Sequence, residues 1–106
     1  MNTKASVELS AMDGQTFIVG REGHIYMGHT SVSRQHAEIK IIKGRIRLRD
    51  LGSSNGIFYL IDDKPVRFQE GFVEPLQPIL IGSQRCTVQG LLAVLGIIAD
   101  HLDEPD

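Results

Sequence analysis

The sequence predicts an all-β domain, a sandwich or a barrel. Three observations predict it. Short segments with apolar side chains at alternate positions recur about every eight to twelve residues. Turn pairs such as Asp13-Gly14 and Lys43-Gly44 separate them. No long helical period occurs before residue 89.

The elements follow in order. Val7-Glu8-Leu9 alternates and opens as a strand, with a hairpin turn expected at Asp13-Gly14. Thr16-Phe17-Ile18-Val19 is β-branched and aromatic, which suits a pleated, half-buried surface. Ile25-Tyr26-Met27 is a short apolar run. Residues 37–41 and 45–49 alternate with period two around the Lys43-Gly44 turn. On the second of these strands Ile46 and Leu48 face the core, and Arg45, Arg47 and Arg49 form a solvated outer face. Residues 57–61 form a buried strand that ends at Asp62-Asp63-Lys64-Pro65. Val66-Arg67-Phe68 is a short strand, and 69–78, with two prolines, is loop. Residues 79–82 and 85–88 close a hairpin around Gly82-Ser83-Gln84.

Composition narrows the function classes. A length of 106 residues fits one domain, and 42% apolar residues suffice for a packed core. A net charge of −2 argues against a nucleic-acid partner. The single cysteine, Cys86, cannot close an intrachain disulfide. His24, His29, His36 and His101 fall at no ligand-pair spacing, so neither a metal site nor a cofactor is expected. No secretory signal is visible at the N-terminus, which points to the cytoplasm. The apolar run from Leu91 to Ala99 is too short to cross a bilayer, which needs about twenty residues. It packs on the sandwich as a strand or short helix, or it joins two copies in a homodimer. Asp100 to Asp106 is an acidic tail. The expected division is an extension at 1–6, a recognition domain at 7–90, and the apolar segment with its tail at 91–106.

Three sequence blocks carry the chemistry. They are Gly20-Arg21, Ser33-Arg34-Gln35-His36, and Asp50-Leu51-Gly52-Ser53-Ser54-Asn55-Gly56. They bring guanidinium forks, hydroxyls, a side-chain amide and glycine turns into one short chain. Such groups hold a phosphate dianion without reacting with it.

In order and spacing these blocks resemble the forkhead-associated (FHA) domain family, over roughly residues 7–88. The resemblance implies a sandwich of two antiparallel sheets with recognition loops at one end. It implies a non-catalytic module that binds phosphothreonine proteins or peptides made by a Ser/Thr kinase. By that resemblance Arg21, Ser33, Arg34 and Ser54 contact the phosphate, and Asn55 holds the peptide main chain. Gly20, His36, Ser53 and Gly56 support the loops, with help from Asp50. His36 is thus a brace and not a general base. The chain departs from the family pattern after the Asn-Gly pair. Ile57 and Leu60 stand where the family often has Thr and Asn, and the usual Gly-Asp before the late strand is missing. These departures lie outside the phosphate contacts. The rival function is a phosphate-independent assembly module, for example in a secretion-type complex.

Overall fold

The computed structural model describes residues 7–98. The expected N-terminal extension, Ala99 and the acidic tail lie outside the described residues. Eleven strands are described. They are β1 (Val7–Glu8), β2 (Thr16–Gly20), β3 (Ile25–Tyr26), β4 (Ala37–Ile42), β5 (Arg45–Asp50), β6 (Ile57–Ile61), β7 (Lys64–Phe68), β8 (Glu70–Val73), β9 (Ile79–Ile81), β10 (Gln84–Cys86) and β11 (Ile97–Ile98). One short helix, α1 (Val88–Ala93), precedes β11.

Two sheets face each other. One has the order β3-β2-β4-β5-β8 and the other β10-β9-β6-β7. Period-two alternation fills the space between them. Ala37, Ile39 and Ile41 of β4 and Ile46 and Leu48 of β5 point inward from the first sheet. Ile57, Ile79 and Ile81 point inward from the second. Arg45, Arg47 and Arg49 lie on the outer side, as the alternation requires. Arg47 pairs there with Glu70, and Arg49 with Glu38 at 3.5 Å.

Two hairpins mark one end of the sandwich. Lys43-Gly44 joins β4 to β5 and Asp62-Asp63 joins β6 to β7. All four residues have positive φ, so both turns are the two-residue kind whose twist matches the strands. At the opposite end β2 leads into Arg21, β3 into β4, and β5 into β6.

Several elements differ from expectation. The first strand stops at Glu8, because Leu9–Met12 coil into a 3₁₀ turn that carries Leu9 into the core. Asp13-Gly14 therefore turns the chain into β2 and joins no hairpin. β1 pairs in parallel with β11. β2 and β3 also pair in parallel, a short exception in an otherwise antiparallel sandwich. The expected loop 69–78 contains β8, which pairs with β5 and ends before Pro75 and Pro78. The prolines end that strand without preventing it. Pro65 lies inside β7, an edge strand, where its missing N–H takes nothing from the ladder. The late strand ends at Cys86, because the Thr87 hydroxyl accepts from Gly90 N and caps α1. That helix runs across residue 90 and buries Val88, Leu91 and Leu92, while Ile97 of β11 joins the same core.

Candidate functional site

Backbone pairing brings the first two blocks together. Arg21 N donates to Ser33 O at 3.1 Å, and Glu22 N to Arg34 O at 2.9 Å. Gly20 makes this approach possible. A β-carbon there would lie 2.2 Å from the Arg34 carbonyl oxygen, a clash no side chain could accommodate. The Arg21 Nε donates to Val32 O at 2.7 Å. That bond fixes the plane of the guanidinium and leaves the Nη donors to solvent.

The third block joins through Ser33. Ser54 N donates to the Ser33 hydroxyl oxygen at 3.3 Å. The Ser33 oxygen spends a lone pair there, and its own proton stays available to a ligand. Ser54 is exposed. Arg34 stands outward at 72% side-chain exposure, with Glu22 3.7 Å from its Nε. An ion pair this exposed contributes little.

His36 braces the loops, at 0% exposure. Its Nδ1 accepts from Ser33 N at 3.0 Å, and its Nε2 lies 2.8 Å from Gly56 O. A backbone N–H on one nitrogen and a carbonyl on the other fix the Nε2–H tautomer. Asp50 is buried because it continues the inward set of Ile46 and Leu48. Its carboxylate accepts from the Ser53 hydroxyl at 2.6 Å and from Ser53 N at 3.3 Å. The Ser53 oxygen in turn accepts from Gly56 N at 2.9 Å. Gly56, with φ +79°, completes the turn in the left-handed region. Asn55 is exposed, and its Nδ2 donates to Ser31 O at 2.9 Å. Its side-chain oxygen points to no protein donor among the described residues.

All nine site residues expected from the sequence thus gather at one end of the sandwich. A further cluster there had gone unrecognised. Gly82 N donates to Gly56 O at 3.0 Å, and Ser83 N to the Ser31 hydroxyl oxygen at 3.0 Å. The Ser31 hydroxyl lies 2.9 Å from the Ser83 hydroxyl and 2.9 Å from His29 Nδ1. Because Ser31 N also donates to that nitrogen, the Ser31 proton must point to it. Gly82 has φ +61°, and a β-carbon on it would meet Ser31 O at 2.4 Å. A glycine before a serine in a hairpin turn was the available signal. It specifies the turn and says nothing of its partner fifty residues away.

A cavity of about 330 Å³ lies at the opposite end, between Leu9, Tyr59, Phe72, Val73 and Glu74. Burial raises the Tyr59 hydroxyl pKa above its ordinary value, and the Glu74 carboxylate adds to the shift. Arg45 lines the same cavity as Glu74, and no residue of the three sequence blocks reaches it. Cys86 is pushed up to about 11 by burial and is a poor nucleophile. Among the described residues no group of three His, Cys, Asp or Glu side chains could hold a metal ion, and no helix is long and apolar enough to cross a membrane.

A family model for the FHA domain matches residues 17–73. Several solved structures are similar. The FHA domain of the CT664 protein from Chlamydia trachomatis is 28% identical, with a TM-score of 0.58 over 69% of this chain and 74% of that one. The FhaA FHA domain, solved in complex with the intracellular domain of Rv3910, is 31% identical, with a TM-score of 0.57 over 69% of this chain and 77% of that one. A domain from a structural and functional study of phosphothreonine-dependent FHA interactions is 31% identical, with a TM-score of 0.57 over 69% and 73% of the two chains. A search of curated proteins gave no match.

Proposed function

The chain belongs to the FHA domain family, and from that premise we propose that it is a non-catalytic module that binds phosphothreonine in an extended segment of a partner protein. One observation carries the reading. Arg21, Ser33 and Ser54 come from three separate loops, and direct hydrogen bonds hold those loops together.

The mechanism is preorganisation. The Arg21 Nη groups donate to phosphate oxygens from a guanidinium already held by Val32 O. The Ser33 and Ser54 hydroxyls add neutral donors. Arg34 swings from Glu22 to the dianion, giving up a weak exposed pair for a stronger charge-assisted one. The Asn55 side-chain oxygen accepts a main-chain N–H of the peptide, while its Nδ2 stays tied to Ser31. His36, Asp50 and Ser53 keep the loops from collapsing when no ligand is bound. None of these groups needs to move a proton, so the phosphate is held and not cleaved. The interaction studies of similar FHA domains support phosphoprotein partners. Cytoplasmic partners of a Ser/Thr kinase are the natural class.

Calorimetric titration with a phosphothreonine peptide library, beside its unphosphorylated forms, tests the reading. Binding should appear with the phosphorylated peptides alone. Equal binding of both forms would move the weight to a phosphate-independent assembly role.

A further inference from the structure

We propose that Arg67 adds an anionic subsite to this recognition surface. The domain then favours phosphothreonine segments that carry a second negative side chain close to the phosphothreonine. The inference rests on the phosphopeptide reading above and deepens it.

The arginines sort by what faces them. Arg34, Arg47, Arg49 and Arg85 each meet a carboxylate. Arg21, Arg45 and Arg67 have none among the described residues. Arg45 lies 3.9 Å over the Phe72 ring, beside the Lys43-Gly44 turn at the far end. Arg21 and Arg67 stand at the loop end. Arg67 has no place in the motif that assigns Arg21.

Register puts it there. Arg67 of β7 pairs with Phe58 of β6, two residues after Gly56. Its guanidinium carbon sits 5.6 Å from the centre of the Phe58 ring. A β-carbon on Gly56 would lie 2.9 Å from Arg67 Nε and Cζ and 3.2 Å from Nη2. The guanidinium therefore rests against the bare face of Gly56, next to Ser54 and Asn55. Leu80 and Arg85 continue the same cross-strand row. Arg85 is turned away toward Asp63 at 3.6 Å, in the far-end hairpin, and does not compete.

The chemistry follows from the placement. Arg67 is exposed and lies beside the turn that presents Asn55 to the peptide main chain. An Asp, a Glu or a second phosphorylated residue passing that turn would meet its fork of donors. The aromatic face below and the glycine beside it hold the fork near one orientation, so less side-chain freedom is lost on contact.

Fluorescence polarisation with three sets of phosphothreonine peptides tests this. One set has neutral flanks. A second walks a single Asp along the flanks, and a third places a phosphoserine there. The acidic peptides should bind roughly two- to fivefold tighter at one or two flanking positions. The phosphoserine arm shows whether a dianion gains more than a carboxylate. The gain should shrink as ionic strength rises. Arg67→Gln should erase the gain and leave the neutral-flank phosphopeptide unchanged, and Arg67→Lys should restore part of it. No acidic preference in the parent, or the same preference in Arg67→Gln, overturns the proposal while the phosphothreonine reading stands. Loss of all phosphate-dependent binding in the parent overturns both.

Discussion

At the residue scale, Arg21 and His36 support the same pocket in different ways, and substitution separates them. Arg21 is exposed, so Arg21→Ala should leave the fold intact. Removing a charge-assisted contact to phosphate should weaken peptide binding by roughly ten- to a hundredfold. Titration beside a thermal melt checks both halves. His36→Ala should act on the fold as well. It leaves Ser33 N without its acceptor and opens a buried space between two loops. The loss should be about 2–4 kcal/mol, a melting point lower by roughly 10 °C or more. An unchanged melt would remove the brace assignment. Cys86 gives a pH signature. Its folded thiol titrates at about 11 against an ordinary 9.0, because burial opposes the thiolate. Above about 9 the unfolded chain releases this proton first. The thiol's contribution is therefore complete below pH 9 and declines as pH rises toward 11. Replacing Cys86 with Ala should flatten that decline in a series of chemical melts.

At the element scale, turns and helix ends decide most of what the chain does. Gly20 and Gly82 are fixed by carbonyls of other loops, those of Arg34 and Ser31. The strands β4 and β5 were legible because Ile39, Ile41, Ile46 and Leu48 alternate cleanly with charged residues. The gathering of three loops at one end was legible because three spaced blocks coincided. β8 was hidden because Gly71 and the nearby prolines weigh against a strand locally, while β5 supplies the pairing that makes one. The Ser31–Ser83 contact and the Arg67 placement depend on register, which no single segment encodes. The C-terminal run shows the same limit. Its apolar character promised packing, yet the change from α1 to β11 comes from the far end of the chain. Leu92 is fully buried in α1. Leu92→Ala should cost about 2–5 kcal/mol, read as a lower midpoint in urea, with little direct effect on the phosphate loops.

At the scale of the whole molecule, one core serves both sheets and α1 together. Leu91, Leu92 and Ile97 are committed to it. Val94, at 71% exposure, and Leu95, at 37%, remain outside it. Among the described residues of the run these are the only large apolar side chains left exposed, and two are too small a patch to hold a stable pair of copies. Sedimentation velocity should therefore give a monomer at micromolar concentration. A dimer that Val94→Asp converts to a monomer would contradict this and favour the homodimer alternative over packing on the sandwich.

The pairing of β1 with β11 also has a mechanical meaning. The strands are parallel, with Val7 beside Ile97 and Glu8 beside Ile98. A pull on the chain before Val7 and after Ile98 draws them past each other along their length. Their cross-strand bonds then bear the load together, as in a lap joint, and do not peel open one at a time. Tension transmitted between flanking segments would meet this joint first, with the core held behind it. The loops that gather around His36 belong to other strands and would keep their geometry until the joint slipped.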